Sequence, residues 1–173
     1  MDLKGLKFSK MHGIGNDFPI IDESAGEVIP EADKAEACRF LCHRHFGVGG
    51  DGVLFVTPSD VADIGYRMFN PDGSEAEMCG NAARCIGKYL YDFGLTTKKS
   101  LTLETKAGAK PLTLFVNADN QVDLVTVDMG EPILEAARIP VDLARERVIN
   151  EPVFVNDEVY DITCVSMGDR KST

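Results

Sequence analysis

The hydrophobic pattern is most regular between residues 80 and 94, where apolar side chains recur at the helical period. One face of a helix over this segment would carry Ala82, Cys85, Ile86, Tyr89, Leu90 and Phe93. Gly94 suits the position after the last helical residue, because glycine readily adopts the left-handed conformation that ends many helices. The pattern predicts a helix that starts near Gly80 and Asn81, after a turn-rich stretch.

A second helical pattern covers residues 29–46, with Pro30 and Glu31 suited to its first turn and Gly47 to its end. Its apolar face would carry Ala35, Cys38, Leu41, Cys42 and His45. The cysteines and the histidine have a spacing found in zinc sites, but a closed tetrahedral site needs a fourth ligand. A stripe facing the core explains the same spacing, so we predict no metal site.

Short segments of alternating polarity, bounded by Gly, Asn, Asp and Pro, predict β-strands. These strands fall at 6–11, 18–22, 53–57, 101–106, 111–116, 121–128, 138–141, 152–155 and 160–166. The glycine-rich segment 13–17 would join the first two as a hairpin, and Pro19 suggests an edge position or a bulge. Many mostly antiparallel strands with few helices predict an α+β fold.

Composition and charge restrict the function classes. The net charge of −10 and the pI of about 4.7 argue against nucleic acid or an anionic membrane as a partner. No apolar run approaches the ~18 residues of a spanning helix, and the first residues lack the apolar region of a signal peptide. An odd number of cysteines without a framework of spacings suits a reducing compartment. We therefore expect a cytoplasmic protein.

Cys79 is the candidate reactive residue, because it lies at the predicted N-terminal end of the helix. Unpaired N–H groups and the helix dipole favour an anion there, and this position can lower a cysteine pKa from about 8.5 to roughly 3.5–7.5. Gly80 leaves those amides open to a ligand. The alternative is a buried thiol that packs as a small apolar side chain, which fits Cys85 better.

The loop 47–52, Gly-Val-Gly-Gly-Asp-Gly, superficially suggests a phosphate-binding loop. Such a loop follows a strand, opens a helix and contains a lysine. This one follows a predicted helix, precedes a strand and has no lysine. We interpret it as a tight turn bordering the site.

Five segments together resemble the diaminopimelate epimerases, pyridoxal-independent amino-acid isomerases of lysine synthesis. The similar segments are 8–18, 44–52, 66–75, 79–85 and 127–132, and the resemblance extends over about residues 6–168. It implies two pseudo-symmetric halves, each a strongly curved sheet wrapped around a central helix, with the active site between them. On that template, residues 1–124 form the N-terminal epimerase domain and residues 125–173 begin the second.

The resemblance also implies a mechanism without a cofactor. Two thiols act on opposite faces of the α-carbon of diaminopimelate, because one group that returns its own proton restores the starting configuration. Cys79 matches the first thiol. The second lies in a Glu-Cys-Gly-Thr-Gly-like motif that is absent here, and Cys164 does not match it. We therefore expect a truncated chain that is inactive alone.

Substrate contacts are implied for the side chains of Asn16, Asn70 and Asn81 and for the backbone N–H groups of Gly80 and Asn81. The alternative for an asparagine in a turn is a local hydrogen bond. Two positions depart from the family: Ala82 stands where glycine is frequent, and Asp169 puts a carboxylate where an amide normally meets the substrate.

Three hypotheses remain open at this stage. The first is the N-terminal half of a diaminopimelate epimerase, and the second is a related cofactor-independent isomerase of another small amino acid. The third is a non-catalytic half-domain that binds a ligand or forms a homodimer. Intact mass and the encoded sequence after Thr173 would separate the first from the third.

Overall fold

The computed structural model describes residues 3–139 and 141–167, and the chain divides into two compact units, Met1–Asp128 and Met129–Thr173. The first unit contains one eight-stranded sheet and two α-helices. The strands are β1 (Ser9–Gly13), β2 (Asn16–Asp22), β3 (Val53–Thr57), β4 (Ile64–Phe69), β5 (Glu75–Ala76), β6 (Ser100–Thr105), β7 (Gly108–Val116) and β8 (Val122–Val127). The helices are α1 (Lys34–Cys42), which follows a short 3₁₀ turn at Glu31–Asp33, and α2 (Gly80–Asp92).

The sheet has the order β1-β2-β3-β4-β6-β7-β8, with β5 paired to β4. Neighbouring strands are antiparallel except β2/β3 and β4/β6. Each parallel pair is joined through a helix, as parallel strands require a long crossover. The strands at both ends of the order, β1 and β8, contact α2, so the sheet curls around that helix. The predicted α+β fold, with a curved and mostly antiparallel sheet around a central helix, is confirmed.

Helix α2 follows its sequence pattern closely. Its apolar face is buried from Ala82 to Leu90, including Ile86 at 0% exposure, and Gly94 has φ +74° just after the helix. Phe93 was also predicted on this face, but it is the C-cap residue and is 60% exposed. Gly87 faces the sheet, where a Cβ atom would lie 2.9 Å from Leu112 Cδ2 and 3.0 Å from Leu114 Cδ2. The absence of a side chain at Gly87 therefore lets the helix and sheet approach closely.

Helix α1 is shorter than the predicted segment 29–46 at both ends, because it begins at Lys34, after the 3₁₀ turn, and ends at Cys42. His43 turns to an extended conformation, and its Nδ1 accepts hydrogen bonds from the N–H groups of His45 (3.2 Å) and Phe46 (3.1 Å). This local bonding replaces the next helical turn. His45 is consequently exposed and lies off the helix face, so the predicted stripe ends at Cys42.

The core next to α1 includes Cys38 and Cys42, as the core interpretation predicted. Both pack with Ile21, Phe55 and Phe69 among the buried apolar residues. A Cβ atom at Gly47 would lie 2.0 Å from the Phe40 carbonyl oxygen, so the turn after α1 requires glycine. Among the described residues, no group of three or more His, Cys, Asp or Glu side chains could hold a metal ion.

Two strand predictions were wrong. The described residues 138, 139 and 141 are not in a strand, because a 3₁₀ turn, Ala136–Arg138, occupies the start of the predicted segment 138–141. Pro19 was expected at an edge or a bulge, but β2 is paired on both sides. The proline is accommodated because pairing with β3 begins only at Ile20.

The second unit contains β9 (Glu151–Val155) and β10 (Glu158–Ile162), which form an antiparallel hairpin. Large apolar side chains on it are exposed, among them Phe154 at 77% and Val159 at 58%. The predicted domain boundary after Leu124 would cut through β8, whose pairing with β7 continues to Val127. Asp169 lies outside the described residues. None of the helices in the described ranges is long and apolar enough to cross a membrane.

Candidate active site

Cys79 occupies the N-cap position of α2, with φ −144° and ψ 118°, and the helix begins at Gly80. Its backbone carbonyl accepts a helical hydrogen bond from Ala83 at 2.9 Å. No side-chain hydrogen bond caps this end, and the first turn contains no acidic residue. The helix dipole and the N–H groups of the first turn therefore favour an anion beside Cys79.

Tyr66, on β4, holds the backbone of Cys79 in place through two hydrogen bonds. The N–H group of Cys79 donates to Tyr66 Oη at 3.1 Å, and the Tyr66 hydroxyl donates to the Cys79 carbonyl at 3.2 Å. Tyr66 is only 4% exposed, so these bonds form away from water. The sequence analysis did not assign this role to Tyr66, although the residue begins one of the quoted segments.

The β1–β2 hairpin brings Asn16 to the start of α2. Asn16 Oδ1 lies 3.9 Å from Cys79 Sγ and accepts a hydrogen bond of 3.2 Å from Asn81 Nδ2. A Cβ atom at Gly13 would lie 3.1 Å from the Asn81 carbonyl oxygen, so the hairpin packs closely on the helix. The structure thus brings together four predicted site residues: Asn16, Cys79, Gly80 and Asn81.

Asn70 has local partners. Its side-chain amide donates to Ser74 Oγ at 3.0 Å, and its backbone N–H donates to the Ser74 carbonyl at 2.8 Å. These bonds belong to the turn between β4 and β5, as the local alternative described. A substrate contact by Asn70 stays a prediction.

A charged network continues from Asn16, and the sequence analysis did not identify it. Asn16 Nδ2 donates to Asp51 Oδ2 at 2.8 Å, and Arg44 donates to Asp51 Oδ1 at 2.7 Å. Arg44 also bonds Asp17 through both of its terminal nitrogens, and Lys10 pairs with Asp17 at 2.9 Å. The Arg44 hydrogen bonds, supported by Lys10, hold the pKa of Asp17 well below its usual range.

The glycine-rich loop 47–52 explains how Asp51 reaches this position. A Cβ atom at Gly50 would lie 2.8 Å from Pro19 Cδ and 3.3 Å from the Asp17 carbonyl oxygen. Only glycine leaves room for the loop to pack against β2. The sequence analysis pointed towards Asp51 only indirectly, by interpreting this loop as a turn that borders the site.

The other buried thiols differ from Cys79 in their surroundings. Burial raises the pKa of Cys38 to about 12. Burial likewise raises the pKa of Cys42 and of Cys85 to about 11. Cys164 is partly exposed and belongs to the second unit.

Comparisons with known proteins identify the family to which most of this chain is similar. Residues 8–135 match the family described as diaminopimelate epimerase. The diaminopimelate epimerase of Methanococcus maripaludis strain S2 is 49% identical over 164 residues, which cover 95% of this chain and 58% of the relative. That of Desulforapulum autotrophicum is 45% identical over the same shares of both chains.

Solved structures share the fold. A phenazine biosynthesis protein of the PhzF family from Bacillus anthracis superposes with a TM-score of 0.56 at 28% identity, over 73% of this chain and 40% of that one. A hydroxyproline epimerase from Agrobacterium vitis gives a TM-score of 0.57 at 17% identity, over 86% of this chain and 45% of that one. With the match over residues 8–135 and the identity to its curated relatives, this chain belongs to the diaminopimelate epimerase family.

Proposed function

We propose that this chain supplies the first catalytic half of a diaminopimelate epimerase, a cytoplasmic isomerase that needs no cofactor. In this proposal, Cys79 exchanges a proton with the α-carbon on one face of the substrate. The observation that carries it is the position of Cys79 at the N-cap of α2, with Asn16 Oδ1 3.9 Å from its sulfur. Asn81 Nδ2 donates to Asn16 Oδ1 at 3.2 Å, so a pair of carboxamides suited to a polar substrate lies on one side of the thiol.

The backbone has a separate task in this mechanism. Removal of the α-proton leaves negative charge that spreads into the substrate carboxylate. N–H groups aimed at that carboxylate would stabilise the charge as it develops. The N–H groups of Gly80 and Asn81, in the uncapped first turn of α2, are the proposed donors.

Inversion also needs a second acid–base group on the opposite face of the α-carbon. The chain spans 58% of the length of the two curated relatives named above. We assign the second thiol, and the facing wall of the cleft, to the part of the relatives that this chain does not cover. The chain alone is then not competent, because one acid–base group and the exclusion of water are both missing.

The test is incubation of the purified chain with LL-diaminopimelate in D₂O, followed by NMR of the α-proton. No meso product is expected from the chain alone. Co-expression with the remaining segment of a full-length relative should produce isomerisation. Cys79→Ser should abolish that activity, whereas Cys85→Ser, in the same helix, should retain it.

Two results would contradict the proposal. The first is isomerisation by the chain alone that is lost in Cys79→Ser, in a sample free of host enzyme. The second is full activity of the complemented Cys79→Ser variant. A parallel assay with L-proline and L-hydroxyproline separates the diaminopimelate assignment from a related isomerase, because we expect no turnover of either.

A further inference from the structure

The carboxamide of Asn16 can face Cys79 with either its oxygen or its NH₂ group, and its neighbours decide which. The Asn16 NH₂ donates to Asp51 Oδ2 at 2.8 Å. An ionised carboxylate only accepts hydrogen bonds, so the NH₂ end must face Asp51. The oxygen end therefore faces Cys79 Sγ, at 3.9 Å.

Asn81 continues the same alignment. Its NH₂ donates to Asn16 Oδ1 at 3.2 Å, and its own Oδ1 accepts a hydrogen bond from Arg84. A guanidinium group only donates, so the orientation of Asn81 agrees with that of Asn16. Two carboxamides thus lie head to tail between a carboxylate and a guanidinium, and each polarises the next in the same direction.

The Asp51 carboxylate is itself held firmly. It accepts the Asp17 N–H at 3.1 Å and Arg44 at 2.7 Å, and the Asp51 N–H donates to the Asp17 carbonyl at 2.8 Å. Gly50 lets the loop approach closely enough for these bonds. The contacts leave the carboxylate oxygen that binds Asn16 little freedom to move.

We propose that Asp51 is a positioning residue for Cys79, because it locks the Asn16 carboxamide with its oxygen towards the thiol. An oxygen in that position accepts the S–H proton but offers nothing to a thiolate. This orientation therefore favours the protonated form of Cys79, and the N–H groups of the helix start act in the opposite sense. This inference rests on the proposed role of Cys79 in catalysis.

The test measures the rate at which iodoacetamide alkylates Cys79 as a function of pH. The full 173-residue chain is used, and peptide mapping identifies the labelled cysteine. Each rate is divided by its high-pH plateau, which reports access to the sulfur rather than ionisation. In Asp51→Asn, the new amide can accept from or donate to Asn16. Only the weaker bond from the Asn81 NH₂ then still orients Asn16, so the Asn16 NH₂ can turn towards the thiolate. The profile should shift to lower pH by about one unit, or about tenfold faster labelling below the midpoint.

Asp17→Asn is the matched control. It removes the same charge from the same Arg44 cluster but leaves the side-chain partner of Asn16 in place. Its profile should shift much less than that of Asp51→Asn. In an Asn16→Ala background no carboxamide remains to turn, so Asp51→Asn should there shift the profile no more than Asp17→Asn does.

Equal shifts in Asp51→Asn and Asp17→Asn would overturn the proposal, as would an undiminished Asp51→Asn shift in the Asn16→Ala background. An NMR measurement on the unmodified chain covers the case in which a variant does not fold. The side-chain amide protons of Asn16 should show no nuclear Overhauser effect to the Cys79 β-protons. A strong effect would show that the Asn16 NH₂, rather than its oxygen, faces the thiol. Isomerisation assays test whether Cys79 is a catalyst, whereas these measurements test only the orientation of the Asn16 carboxamide. The proposed function and this inference can therefore fail independently.

Discussion

Helices α1 and α2 both carry buried cysteines, but they place them in different chemical surroundings. Cys38 and Cys42 lie within α1 and face apolar side chains of the core. Cys79 stands just before α2 as its N-cap residue, with Asn16 Oδ1 3.9 Å from its sulfur. Cys85 is the internal comparison, because it lies in α2 but on its apolar face.

Exposure does not distinguish these thiols. Cys79 is 2% exposed and Cys85 is 3% exposed. What differs is their position: Cys79 is the N-cap residue of α2 and has Asn16 Oδ1 3.9 Å from its sulfur, whereas Cys85 lies within the helix on its apolar face. The comparison teaches that position relative to the helix end, rather than burial, separates a candidate catalytic thiol from a packing one.

The largest expected effect is on thiol labelling. In a Cys164→Ser background near neutral pH, iodoacetamide should label Cys79 at least about a hundredfold faster than Cys38, Cys42 or Cys85. The raised pKa values of those three, about 12 for Cys38 and about 11 for the others, leave very little thiolate. Timed alkylation with peptide mapping measures the ratio, and comparable labelling of Cys79 and Cys85 would remove the distinction within α2.

The second prediction contrasts the charged pairs of the two helices. Lys34, at the start of α1, is 2% exposed and pairs with Glu23 at 3.0 Å. Lys34→Met should lower the free energy of unfolding by about 3 kcal/mol, because it leaves a buried carboxylate without its cation. Lys88→Met is the control on α2, where the lysine side chain is 40% exposed and pairs with Asp92.

The control should cost less, about 0.5–1 kcal/mol, because solvent reaches the lysine and Asp92, though only 14% exposed, keeps its hydrogen bond from the Val122 N–H. Urea unfolding followed by circular dichroism gives both values. Equal losses of unfolding free energy would mean that removing the lysine near α1 is no more costly than removing the lysine of α2.

The third prediction exchanges sulfur for oxygen in the two settings. Cys38→Ser should destabilise the protein by about 1–3 kcal/mol, because it buries a hydroxyl among apolar groups. Cys79→Ser should be neutral or stabilising by up to about 1 kcal/mol, because serine is a preferred N-cap and α2 has no side-chain cap. Thermal unfolding of both variants tests the contrast. A loss in Cys79→Ser as large as in Cys38→Ser would show that the N-cap thiol also serves packing.

The smallest expected effect is on the acid dependence of stability, because a carboxylate with a lowered pKa lies near each of the two helices. Asp17, bound to Arg44 after α1, has a pKa lowered well below its usual range by that hydrogen bond. Glu75, shortly before α2, has burial raising its pKa, but Arg67 and Lys106 outweigh burial and the net pKa is lowered. Each carboxylate therefore adds stability above its unfolded pKa, about 4, and loses it as pH falls through the folded value.

Asp17→Asn and Glu75→Gln should each reduce the fall in melting temperature between about pH 5 and pH 3. Differential scanning calorimetry across that range measures the effect. Asp119→Asn, in the exposed turn before β8, is a control that should leave the acid dependence unchanged. An unchanged acid slope in both test variants would contradict the assignment of these pairs.

The sequence predicted the elements whose local pattern and packing agree. The apolar stripe and the glycine at position 94 defined α2 almost to the residue, although the stripe was predicted to include Phe93, which lies just after the helix and is exposed. The predicted strand at 53–57 is β3, because an unbroken apolar run there is buried in the middle of the sheet. Helix α1 was predicted too long, because the bonds that His43 Nδ1 accepts from the next backbone N–H groups are invisible to a periodicity argument.

For the candidate site, the sequence by itself determined that Cys79 precedes a helix and that asparagines occur in segments typical of turns. Only the tertiary structure decided which of them meet. Asn16 reaches Cys79 because the sheet curls around α2, whereas the bonds of Asn70 stay within its own turn. The orienting role of Asp51 depends on a contact between residues 35 positions apart. Local propensity acts over a few residues, while the placement of distant polar groups follows from how the apolar faces of helix and sheet pack together.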